Sequence, residues 1–216
     1  MSRLFPERLV LGLFPASSGE PWQDAVARLA GADKKRRATL IVSNHFVRYA
    51  IVPWSDGLDT LAEEEAYVRH HFARIHGERA KAWALRWSEN GDTRLASAID
   101  RALLDALKQA LPRLASVQPL LMAAINRCRR AIPKTGAWLA LVEDERACIA
   151  LHAGGRWRSV QNARGALLDL LERERHRAGI EVPDLVLLAG AQPAAEAGWS
   201  FRPIEPSSSL FSRSTP

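Results

Sequence analysis

The densest run of hydrophobic residues lies between Thr39 and Trp54, in the segment TLIVSNHFVRYAIVPW. β-branched and aromatic residues dominate it, which is typical of β-strands. A polar triplet interrupts the run, and Pro53 ends it because a proline cannot donate a hydrogen bond to a neighbouring strand. The pattern therefore predicts a β-hairpin over Thr39–Pro53, with a tight turn at Ser43–His45.

The pattern before this hairpin predicts one strand and one helix. Leu9–Phe14 is almost continuously apolar, as expected of a short buried strand. Apolar residues then recur at helical spacing from Trp22 to about Ala32. Pro21 precedes them, at a position that is favoured at the start of a helix.

The clearest helix signal follows the hairpin. Thr60 and Glu63 have the spacing of a capping box, in which each side chain accepts a hydrogen bond from the backbone N–H of the other residue. His76 and Gly77 are typical of a helix end. The predicted apolar face consists of Leu61, Val68, Phe72 and Ile75.

The rest of the chain alternates between strand and helix patterns. Ala82–Trp87 and Arg94–Ile99 flank an Asn-Gly pair, which is a strong hairpin signal. Asp100 is placed to cap a helix that ends at Pro112, and another helix begins near Pro119. The last third is predicted to contain strands Ala137–Val142, Ala147–His152 and Arg156–Gln161, a helix Ala163–Ala178 capped by Asn162, a strand Leu185–Leu188 and an edge strand Trp199–Pro203.

This order of elements predicts an α/β fold with mixed sheets and flanking helices. We expect two lobes, the first over residues 1–116 and the second over residues 117–205, with the break near Ser116–Lys134. Residues 206–216 are serine-rich and are expected to form a mobile tail.

The composition is that of a globular chain. Its 216 residues include 30 Lys and Arg against 24 Asp and Glu, an excess compatible with nucleic acid or an anionic surface. Acidic residues interleave with the basic ones, as on an ordinary soluble surface. Cys128 and Cys148 lack CxxC spacing and are expected to be thiols in a reducing compartment. No apolar run is long enough to span a bilayer, so we expect a cytoplasmic protein.

Motifs for phosphate binding or for a catalytic nucleophile are absent. The sequence contains no GxxxxGKS or GxxxxGKT, no GxGxxG after a strand and no GxSxG. Ser43 and His45 are two residues apart, which on one strand places both side chains on the same face. This favours a local hydrogen bond over a catalytic triad. We therefore predict no catalytic residue and no cofactor.

Residues that could ligate a metal lack the necessary spacing. His70, His71 and His76 lie on one predicted helix, but helical zinc sites use two histidines four residues apart. Four acidic residues could converge only through the fold, namely Asp24, Asp100, Glu143 and Asp184. A nuclease site needs acidic residues on central strands, and the first two strands have none. We predict no metal site.

A nucleic-acid-binding surface is one alternative. Lys34–Arg37 is a run of four cations, but no aromatic residue or glycine nest accompanies it, so a solvated loop is the simpler interpretation. Trp83 and Trp87 share one strand face and could form a platform for bases. Packing on the sheet is the more common explanation of such a pair.

Two adjacent segments, LIVSNHFVRYAIVPW and EEEAYVRHHFARIHG, resemble the PilM and GspL group of cytoplasmic actin-like proteins of type IV pilus and type II secretion assembly. AWALRWSENGDTRLASAID resembles a hairpin of that group's first lobe, and AWLALVEDERACIALHAGGRWRSVQNARG resembles the meander of its second lobe. The resemblance covers about residues 9–203. It implies a two-lobed actin-like, ribonuclease H-like fold.

The chain departs from that group where actin-like proteins bind nucleotide. Pro15–Ser18 leads from the first strand directly into a helix, so the hairpin that would clamp phosphate is missing. Glu143–Glu145 places three carboxylates where a phosphate turn would lie, and these would repel a triphosphate. Leu188–Ala191 retains a single glycine. A shortened fold without ATP hydrolysis is implied.

The resemblance implies a non-catalytic scaffold that binds a protein partner of a pilus or secretion machine, in the cytoplasm or at the inner membrane through that partner. In such folds a groove between lobes can accept a peptide by strand pairing. The candidate polar contacts are His45, Arg48 and Asn126. Two alternatives stay open, a degenerate nucleotide-dependent phosphotransferase or ATPase and a basic nucleic-acid-binding module.

Overall fold

The computed structural model describes residues 9–89, 92–178, 182–194 and 198–204. Its α-helices are α1 (Trp22–Ala27), α2 (Leu61–His76), α3 (Arg101–Ala110), α4 (Leu120–Cys128) and α5 (Leu167–Ala178). Its strands are β1 (Leu9–Leu13), β2 (Ala38–Val42), β3 (Val47–Pro53), β4 (Trp83–Trp87), β5 (Thr93–Asp100), β6 (Leu114–Pro119), β7 (Ala137–Glu143), β8 (Arg146–Ala153), β9 (Arg156–Arg164), β10 (Leu185–Ala189) and β11 (Ser200–Pro203). The strands form three sheets, in the orders β1-β2-β6, β3-β5-β4 and β11-β10-β7-β8-β9.

The three strands of the first sheet run parallel, with β2 in the centre. Every residue of β2 is buried, as expected of a parallel strand that is covered on both faces. Leu40 belongs to a core that includes Leu103 and Leu107 of α3. Ile41 belongs to a second core that includes Leu121 of α4.

The second sheet is antiparallel and contributes to two different cores. On one face, Val52 and Ala96 pack with Val68 and Phe72 of α2. On the other face, Leu95 of β5 joins the core around α4. This sheet therefore lies between α2 and the centre of the molecule.

The third sheet combines an antiparallel meander, β7-β8-β9, with two parallel strands, β10 and β11. Leu170 and Leu171 of α5 share a core with Trp138 of β7. Leu139 of β7 and Leu187 of β10 belong instead to the core around α4. The helix α4 consequently lies between the first and third sheets.

The first and third sheets contain the same parallel unit. In each of these sheets, three adjacent parallel strands follow one another in sequence order. They are β1, β2 and β6 in the first sheet and β7, β10 and β11 in the third. Beside β7 the third sheet adds the antiparallel strands β8 and β9. Beside β1 no such pair is present in the described chain, because residues 14–21 lead directly to α1. The structure confirms the predicted two-lobed mixed α/β fold with flanking helices, in reduced form.

The predicted hairpin over Thr39–Pro53 is wrong. The strand β2 pairs in parallel with β1 and β6, whereas β3 pairs with β5 in another sheet. Between them Ser43 caps a single 3₁₀ turn, Asn44–Phe46, by accepting the His45 N–H at 3.1 Å. The polar triplet is thus the crossing from one sheet to the next.

Three other predictions differ from the structure. Asn162 does not cap a helix, because β9 continues to Arg164 and α5 begins only at Leu167. The strand β6 was not expected, since its sequence LASVQP has no strong strand pattern. Leu61 and Ile75 are exposed, so the buried face of α2 is narrower than its sequence indicates.

Two other predicted helix caps are confirmed. Thr60 and Glu63 form the capping box of α2, and Asp100 Oδ1 accepts the Ala102 N–H at the start of α3. The turn at residues 90–91 and the tail at residues 206–216 lie outside the described residues. The lobe boundary between residues 116 and 117 falls within β6 and stays a prediction.

We expect Leu107→Ala to lower the free energy of unfolding by about 2–5 kcal/mol, because it removes a fully buried side chain from α3 and leaves a cavity. Leu61→Ala is the matched control, since Leu61 is 74% exposed on α2 and its loss should cost less than about 0.5 kcal/mol. Urea unfolding measures both. Equal losses would contradict the assignment of the core.

Candidate functional site

The polar crossing between β2 and β3 meets the end of β7, a hundred residues later in the chain. Ser43, Asn44 and Glu143 are all buried. Ser43 Oγ donates a hydrogen bond to one carboxylate oxygen of Glu143, and the Asn44 N–H donates to the other at 3.1 Å. Glu143 is thereby held by a side-chain donor and a backbone donor from the first lobe.

Asn162 on β9 makes a second connection at this junction. Its Nδ2 donates to the carbonyl oxygens of Asn44 and Val47, at 2.7 and 3.0 Å. Its Oδ1 accepts from Arg146 Nη1 at 3.2 Å, and Tyr49 donates to Asn44 Oδ1 at 2.7 Å. The crossing is therefore fixed by residues of both the second and third sheets.

Burial dominates the electrostatics of the junction. It raises the pKa of Glu143 above the ordinary value of 4.5, against the hydrogen bonds from Ser43 and Asn44 and the charge of Arg146. Burial also lowers the pKa of His45, and the neighbouring charge of Arg146 acts in the same direction. The neutral imidazole is thus favoured at His45.

The Ser43 hydroxyl is not set up as a nucleophile. It donates to Glu143 and accepts the backbone N–H of His45. The imidazole of His45 does not hydrogen-bond to it, so there is no serine–histidine pair of the kind that activates a hydroxyl. The predicted local hydrogen bond is present, but through the backbone.

A pocket of about 300 Å³ opens beside this junction. His45 and Arg48, at the crossing and the start of β3, form one part of its lining. Arg146 and Arg164, at adjoining ends of β8 and β9, form a second part, and the segment after β1 forms a third. We call it the arginine pocket. Its lining residues are Gly19, Glu20, Pro21, Trp22, His45, Phe46, Arg48, Trp83, Ala98, Asp100, Leu103, Arg146 and Arg164.

A larger groove of about 600 Å³ lies between the β4–β5 side of the second sheet and the β6–α4 segment. We call it the apolar groove, because Leu95, Val117, Met122, Ile125 and Trp157 form much of its lining. Asn126 and Gln118 add polar groups at this wall. It is the more spacious and the more hydrophobic of the two sites.

One wall of the apolar groove is an edge strand. The Ser88 N–H donates to the Leu95 carbonyl at 3.1 Å, which fixes the alternation of bonds between β4 and β5. Leu85 and Trp87 must then direct their N–H and C=O groups away from β5. No other strand among the described residues pairs with this side of β4. Arg86 Nη1 donates to the Leu85 carbonyl at 3.2 Å.

The three predicted contact residues do not lie together. His45 and Arg48 line the arginine pocket, whereas Asn126 lines the apolar groove. Their role in binding a partner stays a prediction. Sequence reasoning missed Asn162, Arg146 and Arg164 as members of a site, because no local pattern reveals that β9 returns to the crossing after β2.

The other candidate residues have structural partners. Trp83 and Trp87 pack beside α2, and Trp87 Nε1 donates to Glu64. Asp184 pairs with Arg175, while Asp100 caps α3, so these two acids do not meet. In the described part of the chain, no three His, Cys, Asp or Glu residues are grouped as metal ligands. Both cysteines are free and buried, and no described helix could cross a membrane.

We expect Asn162→Ala to lower the free energy of unfolding by about 1–3 kcal/mol, because two backbone carbonyls and Arg146 lose a partner. Asn126→Ala supplies the control, since Asn126 is exposed at the end of α4 and its change should stay within about 0.5 kcal/mol. Chemical denaturation compares the two variants. A loss that is no greater at Asn162 would refute its bridging role.

The raised pKa of Glu143 predicts a pH dependence of stability. The folded protein binds this proton more tightly than the unfolded chain, so the stabilisation is complete below pH 4.5 and is lost as the pH rises through the raised pKa. Over that window the free energy of unfolding of the wild type should fall relative to Glu143→Gln. The fall is about 1.4 kcal/mol for each unit by which the pKa is raised.

Urea unfolding at a series of pH values measures this difference. Glu145→Gln is the control, because it removes an exposed carboxylate from the same β7–β8 turn. Parallel pH profiles for the wild type and Glu143→Gln would show that Glu143 does not titrate as its burial requires.

Solved structures share this fold. A Bacteroides thetaiotaomicron protein with actin-like ATPase fold and unknown function superposes with a TM-score of 0.62 and 9% identity, covering 87% of this chain and 83% of the other. The cytoplasmic domain of EpsL, an inner membrane component of the Vibrio cholerae type II secretion system, gives a TM-score of 0.55 and 16% identity, with 84% and 75% covered. The PilM-PilN type IV pilus biogenesis complex gives 0.56 and 15%, with 86% and 77% covered.

No protein-family model and no curated protein matches the sequence. At these low identities the solved structures are evidence for the fold alone. They confirm the resemblance inferred from the sequence. The chain has the actin-like ATPase fold, which it shares with components of pilus and type II secretion assembly.

Proposed function

We propose that this protein is a non-catalytic assembly protein that binds an extended segment of a protein partner in the apolar groove. The observation that carries the proposal is the position of this groove, beside the side of β4 that pairs with no described strand. A peptide there can use main-chain hydrogen bonds and apolar side-chain contacts together.

The outward N–H and C=O groups of Trp87 and the outward N–H of Leu85 supply the main-chain part of the interaction, while the Leu85 carbonyl already accepts from Arg86. A strand laid along β4 would alternate its side chains between the two faces. Those facing the groove would contact Met122 and Ile125, which are half-buried and face the groove. Asn126 is exposed at the same wall and is the predicted polar contact.

The structural neighbours favour a partner from an assembly machine. One of them is solved as the PilM-PilN complex, and another is the cytoplasmic domain of an inner membrane component. We propose by analogy that the partner is a pilus or secretion component and that the chain lies in the cytoplasm, at the inner membrane through this partner. The analogy rests on fold, so the groove supplies the independent physical argument.

The absence of catalysis is part of the proposal. Ser43 and Glu143 are engaged with one another, and the segment after β1 forms no phosphate-clamping hairpin. Asp144 and Glu145 are exposed at the β7–β8 turn, where their carboxylates would oppose a triphosphate. These features favour a scaffold over an ATPase.

Site-specific photo-crosslinking in cells tests the proposal. A benzoylphenylalanine placed at Arg86 or at Asn126 samples the two walls of the groove, and both are exposed. We expect both positions to crosslink to the same protein, a pilus or secretion component. The same probe at Ile75 should give no such product. Ile75 is 57% exposed on α2, the helix that covers the opposite face of the second sheet.

Ile125→Glu provides the second arm of this experiment. A carboxylate among the apolar groups of the groove should reduce both crosslinks by about tenfold or more, since burying an unpaired charge is costly. Circular dichroism checks that the variant is folded. Crosslinks that survive this change, that are equally strong from Ile75 or that are absent throughout would overturn the proposal.

A further inference from the structure

Three arginines converge on the arginine pocket. Arg48 comes from β3, while Arg146 and Arg164 are opposite one another in the β8–β9 pairing. The charges of Arg48 and Arg164 act on Arg146 and, after burial itself, lower its pKa further. Such mutual repulsion between like charges is unfavourable unless an anion lies among them.

The described carboxylates offset these charges only in part, since Glu143 raises the pKa of Arg146 by less than Arg48 or Arg164 lowers it. None of them forms a salt bridge with Arg48, Arg146 or Arg164. Arg48 Nη1 donates only to backbone carbonyls, those of His45 and Val47. Arg146 Nη1 donates to Asn162.

Three of the acidic groups near the pocket are engaged elsewhere. Glu20 pairs with Arg28 and accepts the Ala16 N–H, and Asp100 accepts the N–H at the start of α3. Glu143 is held by Ser43 and Asn44. The charge of Asp144, at the β7–β8 turn, acts to raise the pKa of His45, against the larger effect of burial.

Two nitrogen atoms at the pocket are buried without a hydrogen-bond partner. They are Arg146 Nε, which always bears a proton, and His45 Nε2, which bears none in the neutral imidazole because the ring donates to the Glu143 backbone. A buried donor without an acceptor is unfavourable. An oxyanion could accept from Arg146 Nε and would relieve the repulsion among the three guanidinium groups at the same time.

We propose that the arginine pocket is a binding site for a small oxyanion, a carboxylate or phosphate group of a low-molecular-weight ligand. The volume of about 300 Å³ suits such a ligand, and guanidinium groups bind either oxyanion through paired N–H donors. Trp22, Phe46 and Trp83 line the pocket and offer apolar contact to the rest of the ligand. The site is separate from the apolar groove and does not depend on partner binding there.

The ligand would also stabilise the lobe junction. Arg146 holds Asn162, which binds the carbonyls of Asn44 and Val47, while Arg48 binds those of His45 and Val47. An anion that fixes both guanidinium groups fixes both sides of the crossing between β2 and β3. Binding should therefore raise the melting temperature.

Titration of the full chain with inorganic phosphate, and separately with malonate, tests the site at constant ionic strength. We expect saturable binding by calorimetry and a rise in melting temperature with at least one of them. Phosphate binding alone indicates a phosphate-bearing ligand, and malonate binding alone a carboxylate. Neither binding in the millimolar range would overturn the proposal.

The variant Arg164→Gln distinguishes specific binding in the pocket from non-specific attraction of an anion to a basic surface. Arg164 is exposed at the end of β9, so its replacement should leave the protein folded. Losing one charge-assisted contact should weaken binding about tenfold, and Arg48→Gln should act in the same direction. Arg79→Gln, an equal change of charge at an exposed position outside the pocket, should leave the affinity unchanged. Equal weakening by all three variants would show only non-specific attraction.

Discussion

The buried carboxylate of Glu143 is the constraint on which the joining of the two lobes depends. A charged group removed from water must be hydrogen-bonded or lose its charge. Here its two oxygens take one hydrogen bond from Ser43 and one from the Asn44 backbone. Because these donors belong to the crossing between the first two sheets, satisfying one carboxylate fixes the position of three sheets at once.

The crossing itself shows how a short polar segment can direct a fold. Ser43 ends a fully buried parallel strand, and after one 3₁₀ turn Val47 begins an antiparallel strand in a different sheet. Asn162 adds a hydrogen bond to the carbonyl oxygen at each end of this turn, those of Asn44 and Val47. A side chain from the other lobe thus supplements the hydrogen bonds that the turn makes within its own backbone.

The sequence predicts those elements whose signals are local. Thr60 with Glu63, and Asp100 before its leucines, are short-range patterns, and both caps are present. The pairing of strands is not a local property. The run from Thr39 to Pro53 shows strand propensity on both sides of its polar triplet, but adjacency alone suggested a hairpin where the chain changes sheets.

The candidate sites were less accessible to sequence reasoning for the same reason. The candidate role of His45, Arg48 and Asn126 follows from likeness to a family, and only the fold assigns the first two to one pocket and the third to another. Arg146 and Arg164 are 18 positions apart and become neighbours through the pairing of β8 with β9. No spacing in the sequence distinguishes them from ordinary surface arginines.

The helix α4 has a consequence for how the protein responds to what it binds. Its Leu120 and Leu121 are fully buried in a core that also contains Ile41 of the first sheet and Leu139 of the third. Separating the lobes would expose these side chains, at about 1.5–3 kcal/mol each. Opening the lobes is therefore costly, and the proposed partner would meet a preformed surface. The affinity for such a partner would include little free energy of domain closure and would depend on contact and desolvation.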